Sequence, residues 1–97
     1  MKDYDVIIVG AGPGGLTAGM YASRGNLNTI SIEKMMPGGQ IANTHLVEDY
    51  PGFESISGPE LAQKMEAHAR KFGLKIENDI VNKIKPDGRY WIVEGDS

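Results

Sequence analysis

A glycine-rich segment near the start of the chain has the spacing of a phosphate-binding turn. Residues 10–15 have the sequence GAGPGG, which fits the pattern G-x-G-x-x-G. Gly10 would let the chain turn sharply, Gly12 has no Cβ and would admit a pyrophosphate, and Gly15 would let the next helix lie close to the preceding strand. The N–H groups and the positive end of that helix would face the phosphates. The segment therefore predicts a dinucleotide site.

An acidic residue and a second glycine pair extend this prediction. Glu33 can accept hydrogen bonds from adenosine ribose hydroxyls, and its charge would repel a 2′-phosphate, which favours FAD or NAD over NADP. Gly38 and Gly39 allow close backbone approach, and Gln40 offers a donor and an acceptor to a heterocycle or a ribityl chain. An NAD site needs no such segment. A plain flexible loop, or a glycine turn without any ligand, is the alternative.

The elements that must position these residues form a β-α-β unit over residues 4–33. Tyr4–Val9 is a short apolar run typical of a strand buried on both faces, as in a parallel sheet. A helix is predicted from Gly14 to about Arg24, and Pro13 pre-sets the backbone at its start. Thr29–Glu33 is the second strand. The fold class is therefore α/β, a Rossmann-like unit with a parallel sheet.

The rest of the chain predicts a loop, a helix and a small antiparallel meander. Residues 34–56 show little periodicity, and a loop that long is usually functional. A capping box, Ser57 with Glu60, begins a helix over 57–73. Residues 74–97 predict an antiparallel hairpin or meander with strands at 74–77, 80–85 and 89–94. Tyr90 and Trp91 alternate, so one should face the core. Because the chain stops in a turn, the domain is expected to be incomplete.

Composition excludes several classes of function. The 97 residues form one domain at most, and the absence of cysteine removes disulfides, thiolate metal sites and thiol nucleophiles. His45 and His68 are too few for a histidine zinc site without carboxylate help, so we expect no metal. We expect any chemistry to come from a bound organic cofactor and not from a catalytic side chain. A net charge of −3 without a basic stripe argues against nucleic acid and anionic membranes. Without a long apolar run, a cytoplasmic protein is expected.

Four segments in order carry a resemblance to a known family. They are GAGPGG at 10–15, PGGQ at 37–40, VEDYPGF at 47–53 and SGPEL at 57–61. The set resembles the N-terminal FAD-domain segment of the low-molecular-weight thioredoxin reductases of bacteria and fungi, over nearly the whole chain. The resemblance implies FAD here, and NADPH and a CxxC pair beyond this chain. The parent would pass electrons from NADPH through FAD to the disulfide of thioredoxin or a similar protein, commonly as a homodimer.

The resemblance also implies roles for individual residues. Gly12, Pro13 and Gly14 would hold the pyrophosphate, and the backbone of Val81 would meet the adenine. Asp49 stands where the family usually has asparagine, a flavin contact, and Gly14 stands where it usually has alanine. The full set of expected cofactor-binding residues is Gly10, Ala11, Gly12, Pro13, Gly14, Glu33, Gly38, Gly39, Gln40, Asp49 and Val81.

Other functions remain open at this point. The flavoprotein of alkyl hydroperoxide reductase and ferredoxin–NADP reductase have the same architecture, although Val47–Phe53 favours thioredoxin reductase. A parent chain without a CxxC pair would favour the ferredoxin enzyme. A non-catalytic dinucleotide-binding module is the alternative from another class, and it would prefer NAD or ADP to FAD.

Overall fold

The computed structural model describes residues 2–96, which form a parallel sheet of three strands, an antiparallel sheet of two strands, and two α-helices. A short 3-10 helix lies in the long loop between the second strand and the second α-helix. In chain order the elements are β1 (Val6–Val9), α1 (Pro13–Arg24), β2 (Thr29–Glu33), the 3-10 helix (Gly39–Asn43), α2 (Gly58–Lys71), β3 (Lys75–Asn78), β4 (Val81–Asp87) and β5 (Tyr90–Gly95).

The predicted β-α-β unit is present. β1 and β2 pair in parallel, with Val6 opposite Thr29, and α1 connects them. The close approach predicted for Gly15 is also present: a Cβ placed there would lie 3.0 Å from the carbonyl carbon of Gly10 and closer still to its oxygen. A glycine is therefore required where α1 crosses the end of β1.

The antiparallel part is smaller than the sequence predicts. β3, which falls on the strand expected at 74–77, pairs in parallel with β2, with Glu33 opposite Asn78. The reason is the connection: α2 carries the chain back along the sheet, and a helical crossover joins parallel strands. The parallel sheet has the order β1-β2-β3, and β4 and β5 form a hairpin with Lys83 opposite Glu94.

The core lies between the two α-helices and β3. Leu16 of α1, Ala69 of α2 and Leu74, just before β3, are each at most 3% exposed. Gly19 makes room for Leu74, because a Cβ on that glycine would lie 2.6 Å from a Leu74 methyl carbon. The small residues of the helices thus let them pack closely on one another and on the sheet.

Two expectations about burial are wrong. β1 is only half buried, and Val9 is 54% exposed, because β1 is an edge strand within residues 2–96. Tyr90 and Trp91 are 70% and 68% exposed, so neither faces the core. The reason is that the described residues of β4 and β5 add none of their side chains to the buried core.

In residues 2–96 no helix is both long and apolar enough to span a bilayer.

Candidate dinucleotide-binding site

The carboxyl ends of the three parallel strands meet at one edge of the sheet, where ligands of open α/β sheets bind. The N–H of Gly10, just after β1, donates to the carbonyl oxygen of Ile32 at 2.8 Å. The N–H of Asp79, just after β3, donates to the carbonyl oxygen of Glu33 at 3.0 Å. The residues that follow β1 and β3 are thus both tied to the end of β2.

The glycine-rich turn leads directly into the N-terminus of α1. Gly10 has φ +113°, a conformation that residues with a Cβ rarely adopt. Gly12 caps the helix without any side-chain hydrogen bond, and Pro13 occupies the first turn, which contains no acidic residue. The N–H groups of that turn have no partners within the helix. The helix end can therefore bind an anion without displacing a side chain.

The second glycine pair lies against the first glycine turn. The N–H of Gly38 donates to the carbonyl oxygen of Ala11 at 2.8 Å. A Cβ on Gly39 would lie 3.1 Å from the Cα of Gly12, so the two backbones face each other closely. We call residues 10–15 together with 38–39 the glycine cradle. The structure brings together two segments that the sequence could only predict separately.

Helix α2 holds the second half of the glycine cradle in place. A Cβ on Gly38, whose φ is +116°, would lie 2.5 Å from the Cβ of Ala62. Gly58 lies against the carbonyl oxygens of Ile41 and Thr44, and its N–H donates to the latter at 2.9 Å. The predicted N-cap is confirmed, since Ser57 Oγ accepts from the N–H of Glu60 at 3.2 Å. Gly58 and Ala62 were not predicted from the sequence to shape the site. The signal that could have indicated it was the presence of small residues early in a helix that follows a long loop.

The carboxylate of Glu33 connects the glycine cradle to the end of β2. Its Oε1 accepts from the N–H of Ala11 at 2.8 Å, and its Oε2 accepts from the N–H of Met35 at 2.9 Å. Each carboxylate oxygen can accept a second hydrogen bond. Glu33 is thus held by two backbone groups and keeps the capacity to bind two hydroxyls.

The remaining residues expected to bind the cofactor are Gln40, Asp49 and Val81. Gln40 is exposed in the 3-10 helix directly after Gly39. Asp49 is exposed in the long loop, and Val81 is half buried at the start of β4, opposite Gly95. Among the hydrogen bonds of residues 2–96, none joins Asp49 or Val81 to the glycine cradle.

Two residues at the end of β3 were missed because that strand was assigned to the meander. Asn78 Nδ2 donates to the carbonyl oxygen of Met35 at 2.9 Å. Asp79 Oδ1 accepts from the N–H groups of Ile80 at 2.7 Å and Asp96 at 3.0 Å, which fixes the base of the hairpin. Polar residues at the end of a short strand after a helix were the signal that could have found them.

In the part of the chain that the structure describes, potential metal ligands do not cluster. Within residues 2–96 no group of three or more histidine, cysteine or acidic residues is placed to hold a metal ion. His45 and His68 are both exposed. The glycine cradle and the Glu33 carboxylate are therefore the features that define the candidate site.

The strand order, the glycine cradle and the acidic residue ending β2 define a dinucleotide-binding α/β domain. Residues 4–94 match the family model for pyridine nucleotide-disulphide oxidoreductases. The chain belongs to that family.

Thioredoxin reductases of about three times the length are among the relatives of this chain. The chain is 53% identical over 96 residues to the thioredoxin reductase of Bacillus subtilis. The aligned residues make up 99% of this chain and 30% of that protein. The solved thioredoxin reductase of T. acidophilum superposes with a TM-score of 0.93 at 38% identity, covering 99% of this chain and 32% of that one. The solved thioredoxin reductase of Lactococcus lactis superposes with a TM-score of 0.92 at 40% identity. The superposition covers 97% of this chain and 31% of that one.

These similarities confirm the predicted resemblance and the α/β fold class. They support the thioredoxin reductase interpretation over the peroxide reductase, ferredoxin reductase and stand-alone module alternatives. The chain spans about 30% of the length of the relatives it matches.

Proposed function

We propose that this chain supplies the FAD-binding part of an oxidoreductase of the thioredoxin reductase type. The observation that carries the proposal is the contact between the two halves of the glycine cradle, where Gly39 faces Gly12 and Gly38 bonds to Ala11. A ligand whose phosphates lie at the N-terminus of α1 would continue onto residues 38–40. FAD has that shape, with a pyrophosphate between its adenosine and its flavin halves.

The glycine cradle fits the pyrophosphate of such a ligand. A Cβ on Gly12 would lie 3.7 Å from the Cα of Gly39, in the narrow space between the two backbones. The first-turn N–H groups of α1 would donate to the phosphates, with Gly10, Ala11, Pro13 and Gly14 completing the turn. The free lone pairs of Glu33 would accept the ribose hydroxyls, and its charge would exclude a 2′-phosphate.

The flavin and adenine contacts are assigned by the family resemblance. Gln40 and Asp49 would lie on the flavin side, and the backbone of Val81 would meet the adenine. A carboxylate at position 49 would disfavour negative charge on the nearby ring. Bound FAD would supply the redox chemistry, accepting a hydride from a nicotinamide and returning electrons to a disulfide. This chain's own residues would bind and orient the cofactor.

We extend the proposal to the whole protein on the strength of its relatives. NADPH would bind in a region beyond these residues, and thioredoxin or a similar disulfide protein would receive the electrons. A homodimer in the cytoplasm is the expected form. The similarity to the named thioredoxin reductases supports this proposal. Because these 97 residues contain no cysteine, the disulfide chemistry would need residues beyond them.

The test is a titration of the purified chain with FAD, monitored by flavin fluorescence, for the wild type and two glycine variants. Gly12→Ala has an ordinary φ of −74° and no backbone clash, so it should fold. It should weaken FAD binding about tenfold or more, because it obstructs hydrogen bonds to a charged group. Gly25→Ala, just past the other end of α1, is the matched control, since its φ is −80° and a Cβ there would lie 3.4 Å from the carbonyl oxygen of Ala22, an ordinary contact.

The outcomes separate the proposed function from its alternatives. Saturable binding of FAD that NAD does not displace, weakened in Gly12→Ala and kept in Gly25→Ala, supports an FAD site. Equal competition by NAD or ADP would instead indicate a nucleotide-binding module. A folded wild type that binds no flavin would overturn the proposal for this chain.

A further inference from the structure

We propose that Asn78 is a positioning residue for the adenosine ribose and that it acts through Glu33. The inference rests on the proposed function, because it concerns the same site. Asn78 does not belong to the glycine motif that follows β1, since it lies at the end of β3. Its amide is nevertheless the start of a chain of hydrogen bonds that ends at the glycine cradle.

The chain of hydrogen bonds runs across three strand ends. Asn78 Nδ2 donates to the carbonyl oxygen of Met35 at 2.9 Å. The N–H of Met35 donates to Glu33 Oε2 at 2.9 Å. The other oxygen, Oε1, accepts from the N–H of Ala11 at 2.8 Å. Asn78 therefore fixes the residue whose N–H sets one side of the Glu33 carboxylate.

This segment needs hydrogen bonds because packing does little to hold it. The side chains of Met35 and Met36 are 66% and 78% exposed, so they bury little surface. The N–H of Asp79 adds a bond of 3.0 Å to the carbonyl oxygen of Glu33, which fixes the backbone there but leaves the side chain free to rotate. The orientation of the Glu33 carboxylate thus depends on the N–H groups of Ala11 and Met35.

A fixed carboxylate binds ribose better than a mobile one. With one lone pair on each oxygen taken by a backbone N–H, the two remaining lone pairs point in set directions. A 2′-hydroxyl and a 3′-hydroxyl can then be accepted without ordering the side chain during binding, which removes an entropic cost. Loss of the Asn78 amide would free Met35 and let the carboxylate reorient.

The sheet contains a matched control for Asn78. Asn28, at the opposite end of the parallel sheet, also donates from Nδ2 to a backbone carbonyl, that of Asp3 at 3.2 Å. Both asparagines are exposed. Asn28→Ala removes the same kind of hydrogen bond as Asn78→Ala, together with the oxygen that accepts from Lys75 Nζ at 3.2 Å, but it does so at the edge away from the glycine cradle.

The experiment compares two nucleotides that differ only at the ribose hydroxyls. ADP and 2′,3′-dideoxy-ADP are used to displace FAD from the wild type, Asn78→Ala and Asn28→Ala. Asn78→Ala should bind ADP about two- to tenfold more weakly, the range for one hydrogen bond. Its affinity for dideoxy-ADP should not change, because Glu33 has no hydroxyls to accept there. Asn28→Ala should keep both affinities.

A double-mutant cycle shows whether Asn78 acts through Glu33. In a Glu33→Ala background, Asn78→Ala should cause no further loss of ADP affinity, since no carboxylate remains to be oriented. Far-UV circular dichroism checks that each variant is folded. If Asn78→Ala does not fold, Asn78→Leu, which is close in size and loses the donor without adding a charge, should give the same selective loss.

Three results would overturn the inference while the proposed function stands. They are an unchanged ADP affinity in folded Asn78→Ala, an equal loss for ADP and dideoxy-ADP, and losses that add with Glu33→Ala. A wild-type chain that binds no FAD would instead overturn the proposed function and this inference together.

Discussion

Two neighbouring glycines of α1 should respond to the same substitution in opposite directions. Gly14→Ala should raise the free energy of unfolding by about 0.4–1 kcal/mol, because a Cβ there meets nothing within 4 Å and the unfolded chain loses entropy. In Gly15→Ala the new Cβ would lie 3.0 Å from the carbonyl carbon of Gly10 and closer to its oxygen. A backbone neighbour cannot rotate away, so about 1–3 kcal/mol of overpacking strain is expected.

The net effects should be easy to separate by experiment. After the gain from alanine is subtracted from the strain, Gly15→Ala should lower the free energy of unfolding by up to about 2.6 kcal/mol. For a chain of this size, 1 kcal/mol corresponds to roughly 4–8 °C in Tm. Urea unfolding and thermal unfolding, both followed by far-UV circular dichroism, measure the two variants against the wild type. Equal stability of Gly14→Ala and Gly15→Ala would refute the close packing of α1 on the end of β1.

Three further predictions concern the loop, the sheet and the flavin side. Gly38→Ala should lose about 2–4 kcal/mol, from its φ of +116° and from contact with the Ala62 Cβ, and Ala62→Gly should restore part of the loss in urea unfolding. Ser31→Ala should gain about 1 kcal/mol, because the Ser31 hydroxyl is buried without a partner. Asp49→Asn should raise FAD affinity or the reduction potential of bound flavin, because it would remove a carboxylate from the proposed flavin side; FAD titration measures the affinity and potentiometry the potential.

Each of these predictions has a result that contradicts it. If the double variant lost as much free energy of unfolding as Gly38→Ala and Ala62→Gly lose together, the two residues would not be in contact. Thr29→Val is the control for Ser31→Ala, since the Thr29 hydroxyl donates to a carbonyl at 3.0 Å and its removal should lower stability. Equal effects of the two changes would contradict the unpaired hydroxyl at position 31. No change in affinity or potential would remove Asp49 from the site.

Much of the fold could be predicted because local signals were strong. The strand over β1, the glycine turn and the helix α1 are neighbours in the chain, and each limits the conformation of the next. Ser57 and Glu60 predicted the start of α2 for the same reason, since a helix cap involves residues three apart. The glycine cradle residues were all named from their spacing and from the family resemblance.

The place of β3 could not be predicted from its own residues. Lys75–Asn78 is a short strand with one half-buried side chain, a pattern that suits an antiparallel edge or a parallel one. Its direction was decided by α2, which returns the chain before the strand begins. Asn78 was missed for this reason, since its amide meets Met35 only when β3 lies beside β2.

The amino-acid sequence by itself determined the dinucleotide motif, the β-α-β unit and the family resemblance, because these depend on residue types at fixed short spacings. The tertiary structure decided how separate segments combine. It placed Gly39 against Gly12, tied Glu33 to Ala11, and brought Asn78 to the same edge. Such contacts join residues far apart in the chain, and they form only after the helices have packed and aligned the strand ends.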